Sequence, residues 1–183
     1  DVAFAPGFRF DGVIEQGALL EDNTVASGDI TLEDVYRFFP LMFGISTAEV
    51  SGARLRELLE TTLTTTFSPE GFAHKGGWLE GFSGLSATVN LANPDGARVI
   101  DLYLKDTGKQ ITDNTVISIT GCKRPIEARD LLCTYSGFDN VFPLINSGTG
   151  EVWTIVDLLI EGLKTGVPYD ATRQDIIDIH DTP

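Results

Sequence analysis

The feature that most constrains this chain is a change of hydrophobic period near Ser83. Upstream, Leu55, Leu58, Leu59 and Leu63 recur at helical spacing, with Arg54, Arg56, Glu57 and Glu60 between them. Downstream, Leu85, Ala87, Val89 and Leu91 alternate with Ser86, Thr88 and Asn90. That is the two-residue period of a strand with one wet face. Asn93 to Gly96 (NPDG) then turns the chain into RVIDLYL, giving a β-hairpin. A further turn at Asp106 to Gly108 leads to a third strand over Val116 to Gly121. A helix before a run of strands, without βαβ repetition, predicts an α+β domain: a mixed, mostly antiparallel sheet, read here as a meander, with covering helices.

The flanking segments extend this scheme. Thr31 is placed to cap a helix, with Asp34 at the capping-box distance, and Pro40 ends it. Leu32, Val35, Tyr36 and Phe39 would share one face. Ile45 to Val50 reads as a short strand, and a second helix begins near Ser51. A last helix is expected over Glu151 to Lys164, with Gly166 and Pro168 beyond its end, and RQDIIDI can supply a final strand. Phe67 to Phe82, rich in Gly and aromatics, reads as a long loop of the kind that carries function.

With 183 residues and 42% hydrophobic content, residues 1–183 can bury one core as a single domain. No run of about 18 apolar residues occurs, and no charged segment followed by an apolar stretch opens the chain. The chain reads as soluble. Its opening at Asp1 in strand-like sequence, without a start Met, predicts a piece of a longer precursor. A formal charge of −14 argues against nucleic-acid polymers, which need a basic surface. It does not argue against a small anion held by one or two Arg side chains. Cys122 and Cys133, eleven residues apart, lack metal-type spacing. Either two free thiols or a disulfide fits them.

Catalytic chemistry is poorly supplied. His74 and His180 are the only histidines, too few for a dimetal phosphoesterase centre, and G-N-H-D and G-H-x-H are missing. No G-x-S-x-G elbow, dinucleotide fingerprint or P-loop occurs. Glu33 and Asp34 fall on a solvated helix face. The remaining residues suit a flat, anionic small molecule: Arg9 between Phe8 and Phe10, the turn from Phe39 to Gly44, and Trp78 within GGWLEGF. A guanidinium offers a planar fork to oxygens, and aromatic faces stack on rings. The competing reading makes Phe8, Phe10, Phe38 and Phe39 ordinary core residues.

APGFRF, GDITLEDVYRFFPLMFGI, VSGARLRELL, GGWLEGFSGL, PDGARVIDLYL and TVISITG occur in an order that resembles the C-terminal substrate-binding domain of the 5'-nucleotidase family, over about Phe4 to Lys164. GGWLEGFSGL, SITGCKRP and GEVWTIVDLLIEGL are closer to the branch containing the Sox-system thiohydrolase. The resemblance implies a periplasmic or secreted two-domain hydrolase. An N-terminal domain, absent from this chain, would hold two divalent metal ions and do the chemistry, while this domain holds a nucleotide, a nucleoside-like substrate or a sulfur-modified carrier protein. By resemblance Arg9, with Phe8 beside it, matches the Arg of a G-G-x-R loop that contacts substrate. Pro40, Met42, Phe43 and Gly44 align with a turn lining the pocket. Trp78 lies where a stacking aromatic is found, and Cys122 near the position of a second one; Tyr135 or Phe138 could replace that second ring. Met42, Phe43 and Gly44 depart from the Asn or Gly-Gly usual in that turn. A non-catalytic interaction module is the alternative from another class.

Overall fold

The computed structural model describes residues 1–5, 30–40, 42–74, 81–123, 138–166 and 176–178. In chain order the elements are β1 (Val2–Ala5), α1 (Leu32–Phe38), β2 (Gly44–Ser51), α2 (Gly52–Phe67), β3 (Gly81–Ser83), β4 (Leu85–Val89), β5 (Val99–Leu104), β6 (Val116–Lys123), β7 (Phe138–Pro143), α3 (Ile155–Thr165) and β8 (Ile176–Asp178), with one 3-10 turn at Gly71–Ala73. The strands make two sheets, one ordered β3-β1-β6-β2-β7 and the other β5-β4-β8. Pairing is antiparallel except for β1 with β6 and β4 with β8. The α+β class and the mostly antiparallel pairing expected from the sequence are present.

The meander is not. β4 and β5 form the expected hairpin, but β6 crosses to the larger sheet and pairs with β2 along its whole length, from Val116 opposite Ser51 to Lys123 opposite Gly44. The physical reason is burial: Ile117 and Ile119, at most 1% exposed, stand opposite Val50 and Ala48 on one face of that sheet. This face, with Val2 and Phe4 of β1, packs in one core with Leu55, Leu58, Leu59 and Leu63 of α2 and with Leu85, Ala87, Val89, Val99 and Leu102 of the smaller sheet. The helical and alternating periods therefore meet in a single apolar layer.

α2 closes the outer edge of β5 with its own side chains. Glu60 Oε1 accepts the Val99 N–H at 2.5 Å, and Arg56 Nη1 donates to the Val99 carbonyl at 2.7 Å. Arg98, 6% exposed, donates to the carbonyls of Leu63 and Asn93 and pairs with Asp95 at 2.9 Å. A buried guanidinium held by three partners meets the requirement that buried charge be compensated.

α1 begins as the sequence predicts. The Thr31 hydroxyl accepts the Asp34 N–H, and the Asp34 carboxylate accepts from Thr31 N at 2.8 Å. The hydrogen bonds from Thr31, side chain first and then backbone, hold the Asp34 carboxyl below its ordinary value. Of the four residues read onto one face, Val35 is buried, Leu32 and Tyr36 are exposed and Phe39 is half-buried. Two turns of helix bury a single ridge, against α3, so periodicity could not tell which apolar residues it holds.

Candidate functional site

Strand register defines where the site lies. Ala5, the last residue of β1, is opposite Gly81, the first of β3. Ala3 stands beside Thr120 of β6, and Ile45 and Gly44, which open β2, face Cys122 and Lys123, which close β6. The end of β1 at Ala5, the start of β2 at Gly44, the start of β3 at Gly81 and the end of β6 at Cys122 and Lys123 thus lie at one end of the larger sheet. Phe8, Arg9, Trp78, Cys133, Tyr135 and His180 lie outside the described residues.

The β2 entry is tightly held. Gly44 pairs with Thr154 across an isolated bridge, Ile45 N donates to the Trp153 carbonyl at 2.8 Å, and Ile155 N donates to the Phe43 carbonyl at 2.9 Å. The first turn of α3 is therefore fastened to the turn from Pro40 to Gly44. Thr154 caps α3: its hydroxyl accepts the Asp157 N–H at 3.1 Å, while Asp157 Oδ2 accepts from Thr154 N at 3.1 Å. The sequence placed Glu151 to Thr154 inside the helix. They instead form an extended segment, because this cap fixes the start at Ile155. Thr154→Ala should lower stability by about 1 kcal/mol, read by urea denaturation, with the loss of helical order confined to the α3 N-terminus in hydrogen exchange.

Around this end, Met42 and Pro40 are exposed, Phe43 and Gly44 half-buried, and Phe38 meets Phe39 edge-to-face at 5.1 Å between ring centroids. Trp153, half-buried at the same end, was missed as a site residue since it was read as helix interior; the T-x-x-D pattern at Thr154 was the signal that places it outside. His74 is not here. Its Nε2 lies 2.5 Å from the Ser68 carbonyl, in the loop after α2, as a satisfied ring. Beside the strand ends lies an open cavity of about 350 Å³ between the sheet and α3, lined by residues that include Ala3, Thr120, Ile45, Ile155 and Leu158. No group of three or more His, Cys, Asp and Glu among the described residues could hold a metal ion.

The fold is of the α+β class, a mixed five-stranded sheet with a three-stranded one. Residues 1–120 match the family model for the 5'-nucleotidase C-terminal domain, and the chain belongs to that family. Among solved structures it is similar to the sulfate thiohydrolase SoxB of Thermus thermophilus in complex with glycerol. That match has a TM-score of 0.68 and 16% identity and covers 99% of this chain and 29% of the other. It is also similar to a 5'-nucleotidase precursor from Thermus thermophilus, with a TM-score of 0.64 and 16% identity over 100% of this chain and 32% of the other. The chain thus spans about a third of the length of these structures. No curated protein sequence matches it. No helix among the described residues is long and apolar enough to cross a membrane.

Proposed function

We propose that this chain is the substrate-holding domain of a periplasmic or secreted 5'-nucleotidase-type hydrolase, working with an N-terminal domain that carries two divalent metal ions and the bond-breaking chemistry. Arg9 anchors an anionic or hydroxyl-rich group and Trp78 stacks on a planar one. The observation that supports this reading is the register that sets Ala5, Gly44, Gly81 and Cys122 at one end of one sheet, the strand ends that Arg9, Pro40 and Trp78 adjoin in sequence. Arg9 is four residues past Ala5 in the chain. Trp78 is three residues before Gly81 in the chain. Binding at this rim orients a substrate toward the catalytic partner, where positioning contributes to rate.

The test is a calorimetric titration of the 183-residue chain with AMP, adenosine and thiosulfate. AMP should bind, and Arg9→Ala should weaken it by about ten- to a hundredfold, the range for losing a charge-assisted hydrogen bond. No response to AMP, or one untouched by Arg9→Ala, rejects the reading. The thiohydrolase alternative draws on Cys122 standing where a second stacking ring is expected. It predicts a response to thiosulfate and none to adenosine.

A further inference from the structure

We infer that the Asp95–Gly96 bond, in the turn between β4 and β5, is a site of covalent self-modification: it converts to an isoaspartyl linkage in the folded chain, and the product loosens the junction of α2 with β5. The conversion needs no ligand and no partner domain.

The turn leaves the reacting atoms open. The Ala97 N–H donates to the Pro94 carbonyl at 3.0 Å, so Asp95 and Gly96 are its two central residues. Both are exposed. Gly96 has a φ of 83°, and a Cβ built there would meet nothing within 4 Å, so nothing beyond its chain neighbours shields its nitrogen. The peptide unit joining Asp95 to Gly96 is the middle one of the turn, and neither its carbonyl nor its N–H has a hydrogen-bond partner among the described residues. That unit is free to rotate, and glycine tolerates either sign of φ that results. Asp95 is the one described aspartate followed by glycine; every other precedes a residue whose side chain crowds the nitrogen.

The step balances with water alone. The Gly96 nitrogen attacks Asp95 Cγ; as the new N–Cγ bond forms a Cγ–O bond breaks, and the amide proton leaves with the carboxyl hydroxyl as water. Water then opens the five-membered imide. Opening at the Asp95 main-chain carbonyl leaves the backbone running through Cγ, one methylene longer, with a free carboxylate on Cα. What opposes the attack is an ion pair: Asp95 Oδ1 lies 2.9 Å from Arg98 Nη2, the Asp95 side chain 55% exposed and that of Arg98 7%. Breaking a pair with one exposed partner slows the attack by about tenfold without blocking it, because water receives the released carboxylate. Arg98 has no such substitute. After conversion its buried guanidinium keeps the carbonyls of Leu63, in α2, and Asn93, and loses its anion.

The 183-residue chain carrying Asp11→Glu, which removes the other Asp-Gly pair of the sequence, is aged in mildly acidic heavy-oxygen water and then digested with trypsin in ordinary water. Cuts after Lys75 and Arg98 release a peptide, 76–98, whose only aspartate is Asp95, so a protease that cuts before aspartate reads this one bond. A growing fraction of the peptide should resist that protease and carry one heavy oxygen, and Gly96→Ala should lower the fraction several-fold. Asp95→Glu, which would need a six-membered ring, should take up none. The aged chain should gain a second melting transition about 4 °C below the first, in proportion to the fraction converted and at the temperature where unaged Asp95→Ala melts. The inference is overturned if the folded chain yields no resistant peptide by the time free 76–98 peptide has converted, if Gly96→Ala converts equally, or if the aged chain melts as the fresh one does.

Discussion

Gly52→Ala is expected to destabilise the protein by about 3 kcal/mol, seen as a fall in melting temperature of about 10 °C. Gly52 is the residue at which β2 runs directly into α2. Its N–H donates to the Thr115 carbonyl at 2.8 Å and the next N–H, of Ala53, to the Asp113 carbonyl at 3.1 Å. The loop before β6 thereby satisfies the first donors of the helix, which no intrahelical acceptor can reach. A methyl group at position 52 would overlap the Thr112 carbonyl oxygen and sit 2.8 Å from Ile111 Cγ2. The obstruction is backbone, so it cannot rotate aside; relief requires moving the loop and losing both bonds. Gly96→Ala is the control. Its φ of 83° is unfavourable for alanine, but nothing lies within 4 Å, so the cost is only about 1–2 kcal/mol.

Leu102→Ala is expected to cost about 3–4 kcal/mol, within the range for deleting a buried leucine side chain. Leu102 is 0% exposed, stands opposite Ala87 in the hairpin, and belongs to the core shared by both sheets and α2. Because Ala87 across the ladder is already small, little can move into the void. Chemical denaturation should show a lower midpoint with an unchanged slope. Leu163→Ala, at a position 46% exposed on α3, should shift stability by no more than about 0.5 kcal/mol. Equal losses at the two positions would mean that the core is not the layer described.

What could be read from the sequence was what is local. The four leucines of α2, the alternation of β4 and the capping residues Thr31 and Asp34 announce their elements because each signal completes itself within one or two turns. The final strand in RQDIIDI was expected and forms as β8. Which strand β6 joins was not legible: Val116 to Gly121 has the same alternation whichever neighbour it takes, and its choice of β2 depends on Ile117 and Ile119 meeting residues far earlier in the chain. The start of α3 was misplaced because Val152 and Trp153 continue its apolar run, while the Thr154 cap overrides that pattern. For the candidate site, family order picked out the segments, but their approach to a common sheet end is a property of register, which no single segment encodes. The cavity beside α3 was invisible for the opposite reason: it arises from what short residues such as Ala3 fail to fill.

The hydrogen bonds from Glu60 and Arg56 to Val99 have a consequence for solubility. An unpaired strand at the margin of a sheet is a template on which a foreign extended chain can add, the step that begins fibrous aggregation. Here the outward-facing amide and carbonyl of Val99 are already taken by a carboxylate and a guanidinium, and the stretch from Lys109 to Ile111 occupies Leu102 and Leu104 farther along. At the far margin of the larger sheet, β7 offers Pro143, which has no amide hydrogen to give, and Asn140, whose φ of 52° breaks the regular ladder. The β5 and β7 margins are thus made poor seeds for recruitment, so at these two edges the domain resists adding copies of itself.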